Sequence, residues 1–520
     1  MANTSTSIVT FSILSPDTSL SYDRIKLRLE EYRTLLASDS DTIELSTENG
    51  KTVICRKQAK EMEDYLDQAE ILLRDVVQSR DISTLVVLYH LRDLAEVLDN
   101  LKLYDECHLT GNCALDLAEA LGRRSLEFRQ EQAETLALIA GLSVYKPRAR
   151  TLFIQAVSIC EEVVANNSSH SNKYMLLSVL DRAGYWALDS LGAQWLERAV
   201  QLMTKELPPT MVHPDFRCVI YNNYGNRLLW LKQHANATEA FHECISIHRT
   251  LVNNNPAKYY YPLATALMNM AMALDDLGKY DDAIAAYKEV LGICAAMSGQ
   301  DPLKCDELTA RTFIYYGITL GNSNQVSEAA AVHKQAVSLC RNLVQKGHEC
   351  TELFCDALYN YGIGCHSLGM HAESVLAFQE SIHLRRALAA TEYEERCLIL
   401  SLHDIVDPFL ALGKHAEANA AANEALERNH GKVLEDCGYA PDFKSCLVCQ
   451  RVKIPDSLPN ISTPFPVLLV NSSSRPAEHP GADASLTPAE TPKPTGETMN
   501  VSVHKRRQKI LGFFTRNRAQ

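Results

Sequence analysis

The chain has 520 residues, of which 46% are hydrophobic and 22% are charged, and its formal net charge is −13 at pH 7. This length exceeds what a single hydrophobic core supports, so it predicts a modular or elongated protein. The sequence lacks the apolar run of roughly 18 residues that a transmembrane helix requires, and its acidic balance argues against a general nucleic-acid binder.

The N-terminal residues 1–19 have no positively charged flank, and their apolar stretch is broken by Thr10 and Ser12. These features predict a flexible N-terminus and argue against a secretory signal. Without such a signal, we expect the 16 cysteines to be reduced thiols and the protein to be cytoplasmic, with a nuclear location as the alternative. Residues 20–83 include "EMEDYLDQAEILLRDVV", which predicts an N-terminal helical cap.

The segment "ENGKT" (48–52) is similar to the end of a phosphate-binding loop. That loop needs a glycine five residues before Gly50, where this chain has Leu45, so a polar turn is the better interpretation. The sequence also has no G-x-S-x-G or H-E-x-x-H motif. We therefore expect neither an enzyme nor a bound cofactor.

Residues 84–440 are dominated by an internal repeat. The segment "LGKYDDAIAAYKEVL" (277–291) aligns with four others on one small residue, with spacings of 46, 46, 45 and 44 residues. The small residues are Ala237, Ala283, Ala329, Ser374 and Ala418. Weaker copies lie upstream, around Cys107, Ala149 and Gly192. The pattern predicts a stack of similar units rather than one globular domain.

Each repeat reads as two antiparallel helices joined by a short turn. The small residue allows close helix packing, and a bulky residue follows four positions later on the same helical face. The bulky residues are Phe153, Phe241, Tyr287 and Phe378, with His333 and Ala422 as departures. Five positions before the small residue stand Gly278, Asn324, Gly369 and Gly413. Glycine and asparagine tolerate the left-handed conformation that ends a helix.

Residues 263–291, "LATALMNMAMALDDLGKYDDAIAAYKEVL", carry a Leu-Ala start, an Asn before small residues, a Gly-Lys-Tyr turn and an acidic pair before Ala. This pattern resembles the tetratricopeptide repeat, in particular the long-repeat type of kinesin light chains. The resemblance implies an all-α, right-handed α-solenoid of helical hairpins. The kinesin light chain's N-terminal heptad repeat is not evident, so the resemblance extends to the fold alone.

A polar column recurs fourteen residues before each small position. Its asparagines are Asn223, Asn269 and Asn360, and the resemblance implies that they lie on the first helix of each repeat, whose inner face lines a concave groove. An amide offers both a donor and an acceptor to an extended peptide, and Arg227 and Arg311, one turn away, would hold an acidic side chain. The alternative is that these amides bond neighbouring helices. The tyrosines of "YYYP" (259–262) are either a binding hot spot or packing residues.

A possible zinc knuckle lies near the end of the repeats, at Cys446 and Cys449 in "CLVC". A usual site has two such pairs, and here only His430 and Cys437 accompany the one pair. Buried thiols are the better interpretation, so we expect no bound metal.

The C-terminal region loses the repeat. Residues 455–500 are rich in Pro, Ser and Thr, which predicts a disordered linker. Residues 501–520 place Ile510, Phe513 and Phe514 at helical spacing among basic residues. The basic residues are Lys505, Arg506, Arg507, Lys509, Arg516 and Arg518. Such a segment could bind an acidic membrane, the protein's own acidic solenoid or, through "KRRQK", import machinery, or remain solvated.

The sequence therefore predicts a non-catalytic scaffold or adaptor that binds a partner peptide or domain in the groove. The alternative is a regulatory or sensor module of a signalling system that lacks its own nucleotide-switch domain. No nucleic-acid partner is expected.

Overall fold

The computed structural model describes residues 24–31, 33–34, 42–47, 50–55, 59–78, 84–187, 189–299, 301–388 and 392–428. The chain divides into two compact units, Met1–Ile247 (unit 1) and His248–Gln520 (unit 2). The predicted zinc knuckle, the linker 455–500 and the basic segment 501–520 all lie outside the described residues.

The N-terminal region of unit 1 differs from the expected helical cap. It contains helix α1 (residues 24–31) and helix α2 (Ala59–Gln78), but a β-hairpin lies between them. Strands β1 (Thr42–Thr47) and β2 (Gly50–Cys55) pair antiparallel, with Thr42 opposite Cys55. The two strands are rich in β-branched residues, which favours extended structure. Since Leu45 lies in β1 and Gly50, Lys51 and Thr52 lie in β2, these residues belong to a hairpin and not to a phosphate loop.

The rest of unit 1 is a succession of helical hairpins, in which each helix packs against the next along the chain. These helices are α3 (Thr84–Asn100), α4 (Tyr104–Gly122), α5 (Leu126–Ala140), α6 (Lys146–Asn166), α7 (His170–Trp186), α8 (Ser190–Gln201), α9 (Pro214–Trp230) and α10 (His234–Asn254). A short π-helical segment, Leu202–Glu206, continues α8. The boundary between the units falls within α10.

Unit 2 repeats the same hairpin. Its helices are α11 (Pro256–Asp276), α12 (Tyr280–Met297), α13 (Pro302–Asn322), α14 (Val326–Gln345), α15 (Thr351–Ser367), α16 (His371–Leu388), α17 (Glu392–Asp404), α18 (Val406–Ala411) and α19 (His415–Arg428). In the last repeat, the first of the two helices is interrupted between α17 and α18. The interruption occurs because Pro408 has no N–H to donate to the carbonyl of Asp404. The predicted α-solenoid of tetratricopeptide-like hairpins is confirmed for the described residues from 84 onwards.

We call the first helix of each hairpin helix A and the second helix B. The turn between them has the same geometry in each of six repeats. Its central residue has a positive φ of 60° to 76°, at Lys102, Lys232, Gly278, Asn324, Gly369 and Gly413. In the Gly278 turn, the Lys279 N–H donates to the Leu274 carbonyl at 2.9 Å and the Gly278 N–H donates to the Asp275 carbonyl. These are the bonds of a Schellman cap, which satisfies the last carbonyls of helix A.

The bulky residues of helix B fit into notches on helix A. A Cβ added at Gly225 would lie 2.6 Å from the Phe241 ring, and one at Gly317 would lie 2.2 Å from His333 Nε2. The His333 side chain therefore takes the place of the aromatic ring of the other repeats. It is buried, and burial lowers its pKa to about 4, so the imidazole is neutral and fits an apolar site.

The cysteines from Cys107 to Cys397 are free, and most of them are buried. Cys294 is 3% exposed and Cys340 is 0% exposed, so both are core packing residues. Across the described residues, the helices are either too short or too polar to span a membrane.

Candidate functional site

The asparagine column lies deeper in the protein than the sequence suggests. Asn360, on α15, is 1% exposed, and its Nδ2 donates to the carbonyl of Asp356 within the same helix at 2.8 Å. Asn223, on α9, is half-buried and its Nδ2 donates to Oδ1 of Asp181 on α7 at 3.0 Å. Burial raises the pKa of Asp181 to about 6, and the Asn223 bond opposes that rise. For these two residues the contacts favour the alternative role, in which amides stabilise helices.

The two arginines that flank the column have different environments. Arg227 is 6% exposed, and its Nη2 donates to the carbonyls of Gly184 at 3.1 Å and Tyr185 at 2.6 Å. It therefore caps the end of α7, where carbonyls lack helical partners. Arg311, on α13, is half-buried and makes no ion pair with any described residue. Of the two, only Arg311 is placed to meet a ligand.

Unit 2 presents a polar surface on neighbouring A helices, which we call the A-helix face. On α11 it contains Tyr261, Thr265 and Asn269, which are four residues apart and therefore share one side of the helix. On α13, Glu307 and Arg311 occupy the equivalent repeat positions. Tyr261 is 41% exposed, and the other four are half-buried. The face thus retains Asn269 and Arg311 from the predicted site.

Two tyrosines of "YYYP", Tyr259 and Tyr261, have different environments. Tyr259 is 8% exposed and lies under the Lys258 ammonium, whose Nζ is 4.6 Å from the ring centroid. Tyr261 projects from the A-helix face into solvent. Tyr259 is therefore a packing residue, whereas Tyr261 has the exposure that a binding hot spot needs.

The A-helix face offers complementary chemistry to a peptide. The Asn269 amide carries a donor and an acceptor, and the Arg311 guanidinium carries five N–H donors. The Thr265 hydroxyl donates to the carbonyl of Tyr261 at 3.0 Å, so its lone pairs point away from that bond. Behind the face, the positive charge of Arg311 helps to oppose the burial-induced rise in the pKa of the Asp356 carboxyl. The surface can thus hold a peptide backbone and one acidic side chain.

The two asparagines of the column in unit 2 lie at different depths. Asn269 and Asn360 hold the same repeat position, yet one is half-buried and the other is buried. Tyr261, two turns before Asn269, is 41% exposed, whereas Thr265, Arg311 and Glu307 are half-buried like Asn269. Arg311 and Tyr261 belong to the sequence prediction, whereas Thr265 and Glu307 do not, because the residue at their positions differs in type from repeat to repeat.

The comparison with protein families supports the repeat assignment. A family model described as the tetratricopeptide repeat matches residues 263–302, which include α11 and α12. No curated protein matches the sequence.

Several solved structures resemble the chain. The signal-transduction ATPase with numerous domains and a tetratricopeptide-repeat sensor, from Pyrococcus horikoshii, is 11% identical; the match covers 76% of this chain and 57% of that chain with a TM-score of 0.43. BtubC from P. vanneervenii is 14% identical over 48% of this chain and 93% of that chain, with a TM-score of 0.37. The putative kinesin light chain repeats of Podospora anserina are 15% identical over 42% and 97%, with a TM-score of 0.32.

With TM-scores below 0.5, these likenesses support no conclusion beyond the resemblance itself. The match to the family model and the recurrence of the hairpin along the chain do not depend on these structural likenesses. The hairpin matched at residues 263–302 recurs before and after that range with the same positive-φ turn. Residues 263–302 therefore carry a tetratricopeptide repeat, and the described helices around them form tetratricopeptide-like hairpins.

Proposed function

We propose that this protein is a non-catalytic scaffold that binds an extended peptide, or a domain presenting one, of a partner protein on the A-helix face of unit 2. Tetratricopeptide repeats are protein-interaction modules, which gives the general class of function. The observation that supports this particular surface is the alignment of Tyr261, Thr265 and Asn269 on α11 beside Arg311 on α13.

The charges on this face favour a ligand with a mixed character. The charge of Arg311 acts on the buried Asp356 carboxyl, and its half-buried guanidinium can also meet a ligand carboxylate. Tyr261 supplies a large aromatic surface together with a hydroxyl, the combination enriched in binding hot spots. We therefore expect a peptide that has one acidic residue near one apolar residue.

A catalytic role is disfavoured by the same surface. Enzymes bring a nucleophile, an acid or base and a charge-stabilising group together in one concave pocket. The accessible groups of the A-helix face are instead arranged along open helix surfaces. Location in the cytoplasm and the lack of a nucleic-acid ligand are parts of this proposal, supported by the free thiols and by the net charge of −13.

The test compares partner binding by matched full-length variants. A partner captured with the wild-type chain is used to measure Kd for Asn269→Ala with Arg311→Gln, and for a control with Asn342→Ala and Lys288→Gln. The control residues are exposed and lie on the B helices α14 and α12. Each lost hydrogen bond costs roughly 0.5–1.5 kcal/mol, and more for a charged group. We therefore expect Kd to rise about tenfold or more for the first variant, with no change for the control.

A folded Asn269→Ala, Arg311→Gln protein that binds the partner as tightly as wild type would remove the A-helix face from the binding site. Circular dichroism melting of both variants shows whether any loss of affinity merely follows a loss of folded protein.

A further inference from the structure

The A–B turns of unit 2 carry an unusual concentration of exposed apolar side chains. Six large hydrophobic residues of the described part of unit 2 are exposed, and four of them lie at these turns. The four are Leu277, Leu368, Met370 and Leu412, with exposures of 38%, 41%, 37% and 39%. We call this row the turn edge. It shares no residue with the A-helix face.

The turn geometry does not by itself require exposure. Leu101 in unit 1 occupies the same repeat position as Leu277, six residues before the small residue, and it is 0% exposed. Leu231 occupies that position in another repeat of unit 1 and is half-buried. The apolar exposure is therefore a property of the turns in unit 2, since a solvent-facing turn is normally polar.

The turn edge is also acidic. Each helix B of unit 2 has a carboxylate in its first turn, next to the A–B turn: Asp281 and Asp282, Glu328, Glu373 and Glu417. Lys279 and Lys414 are the cationic residues of these four turns, so the turn edge carries five carboxylates and two ammonium groups. The edge thus combines apolar contacts with an excess of negative charge.

From this pattern we infer that the turn edge of unit 2 is a docking surface for the protein's own C-terminal segment, residues 505–518. That segment is complementary in both respects. It contains six Lys or Arg residues and no Asp or Glu, and Ile510, Phe513 and Phe514 provide apolar side chains at helical spacing. Cations would face the carboxylates, while the three apolar side chains would cover the exposed leucines and Met370.

The chain is long enough to make this contact. The described part of unit 2 ends at Arg428, sixteen residues after Leu412, and residues 429–504 separate Arg428 from the segment. A chain of that length can span at most about 250–270 Å. Neighbouring packed helices lie only about 8–10 Å apart, so every turn of the edge is within reach. Covalent attachment also gives the segment an effective concentration on the order of millimolar, which favours a contact of modest intrinsic affinity.

The test uses a fluorescent peptide of residues 501–520 and full-length protein. In the wild-type chain the attached segment occupies the turn edge, so added peptide should bind weakly. Phe513→Ser with Phe514→Ser should release the attached segment and tighten peptide binding by about tenfold or more. Adding Leu368→Gln and Leu412→Gln to that protein should abolish the gain. Adding Leu376→Gln should not, since Leu376 is 54% exposed but lies in the second turn of α16, outside the turn edge.

Three outcomes would overturn the inference. One is equal peptide binding by the wild-type chain and the Phe513→Ser, Phe514→Ser chain. Another is a loss with Leu376→Gln as large as that with Leu368→Gln and Leu412→Gln. The last is a peptide that binds phosphatidylserine vesicles but not the Phe513→Ser, Phe514→Ser protein, which would make an acidic membrane the occupant. Melting curves of each variant show whether the folded protein is being compared.

Discussion

Substitution of Arg385 in α16 should destabilise the last helices of unit 2 more than any surface change. The Arg385 side chain is 0% exposed, and its Nη2 donates to Oδ1 of Asp356 on α15 at 2.5 Å. Its Nη1 donates to Oε2 of Glu394 on α17 at 2.9 Å. One guanidinium thus joins three successive helices. Although burial opposes the charged form, the surrounding acidic groups raise the pKa of Arg385 well above its usual value, so the group remains charged.

Arg385→Met preserves most of the side-chain volume but leaves two carboxylates buried without a cation. Breaking a buried ion pair in this way costs about 3–5 kcal/mol. Hydrogen exchange followed by mass spectrometry measures this cost locally, which matters because separate units need not unfold together. We expect amides of α15, α16 and α17 to exchange faster by about 100- to 4,000-fold, with little change in unit 1.

The same pair of carboxylates makes the loss of stability in Arg385→Met depend on pH. Burial raises the pKa of Asp356 in the folded protein, and Arg385 opposes that rise. In Arg385→Met the opposition is gone, so the folded state takes up a proton more readily than the unfolded state. A carboxyl with a raised folded pKa favours folding at low pH and loses that contribution as pH rises. The deficit of the variant should therefore be smaller at pH 5 than at pH 7.5.

The control replaces all three charged groups, as Arg385→Met with Asp356→Leu and Glu394→Met, because an apolar replacement of a whole buried ion cluster is often neutral. Exchange in Arg385→Met that is less than about tenfold faster than wild type, or a triple variant no more stable than the single one, would refute this reasoning.

Three further predictions concern the core and the asparagine column. Gly317→Ala places a Cβ 2.2 Å from His333 Nε2, so it should lower the free energy of unfolding by about 1–3 kcal/mol. An unchanged melting temperature would show that His333 does not pack tightly against Gly317. Asn360→Ala should cost about 0.5–1.5 kcal/mol of stability and leave partner affinity unchanged. Unchanged stability with weaker partner binding would show that Asn360 contacts the partner. Asp181 has a folded pKa near 6, above its unfolded value, so its contribution to the stability of the folded state is lost as pH rises towards 6. Asp181→Asn should therefore stabilise unit 1 by about 2–3 kcal/mol at pH 7 but not at pH 4. Equal shifts of the melting temperature at both pH values would contradict this prediction.

The repeat and its turns are largely predictable from sequence because each depends on local chemistry. Gly278, Gly369 and Gly413 have the left-handed backbone that their residue type and position indicate. Lys102 and Lys232 adopt it too, although lysine carries no such signal. There the cap hydrogen bonds of the turn impose the conformation, and they follow from the stacking of whole repeats rather than from the residue itself.

The candidate site was less predictable because exposure is a tertiary property. Asn269 and Asn360 have the same repeat position and the same chemistry, but Asn360 is buried and Asn269 is half-buried. The β-hairpin at Thr42–Cys55 also departs from the expected cap. Its β-branched residues are a strand signal, which the helical pattern on either side outweighed.

Contact between the A-helix face of unit 2 and a protein partner is the basis of the function that we propose. The most direct test is photo-crosslinking in cells, with a benzoylphenylalanine residue placed at Thr265 in one full-length protein and at Lys288 in another. Position 265 lies on the A-helix face and position 288 lies on the exposed side of α12. We expect a specific crosslinked protein from position 265 that is lost with Arg311→Gln, and none from position 288. A partner captured from position 288 alone, or equally from both, would contradict it.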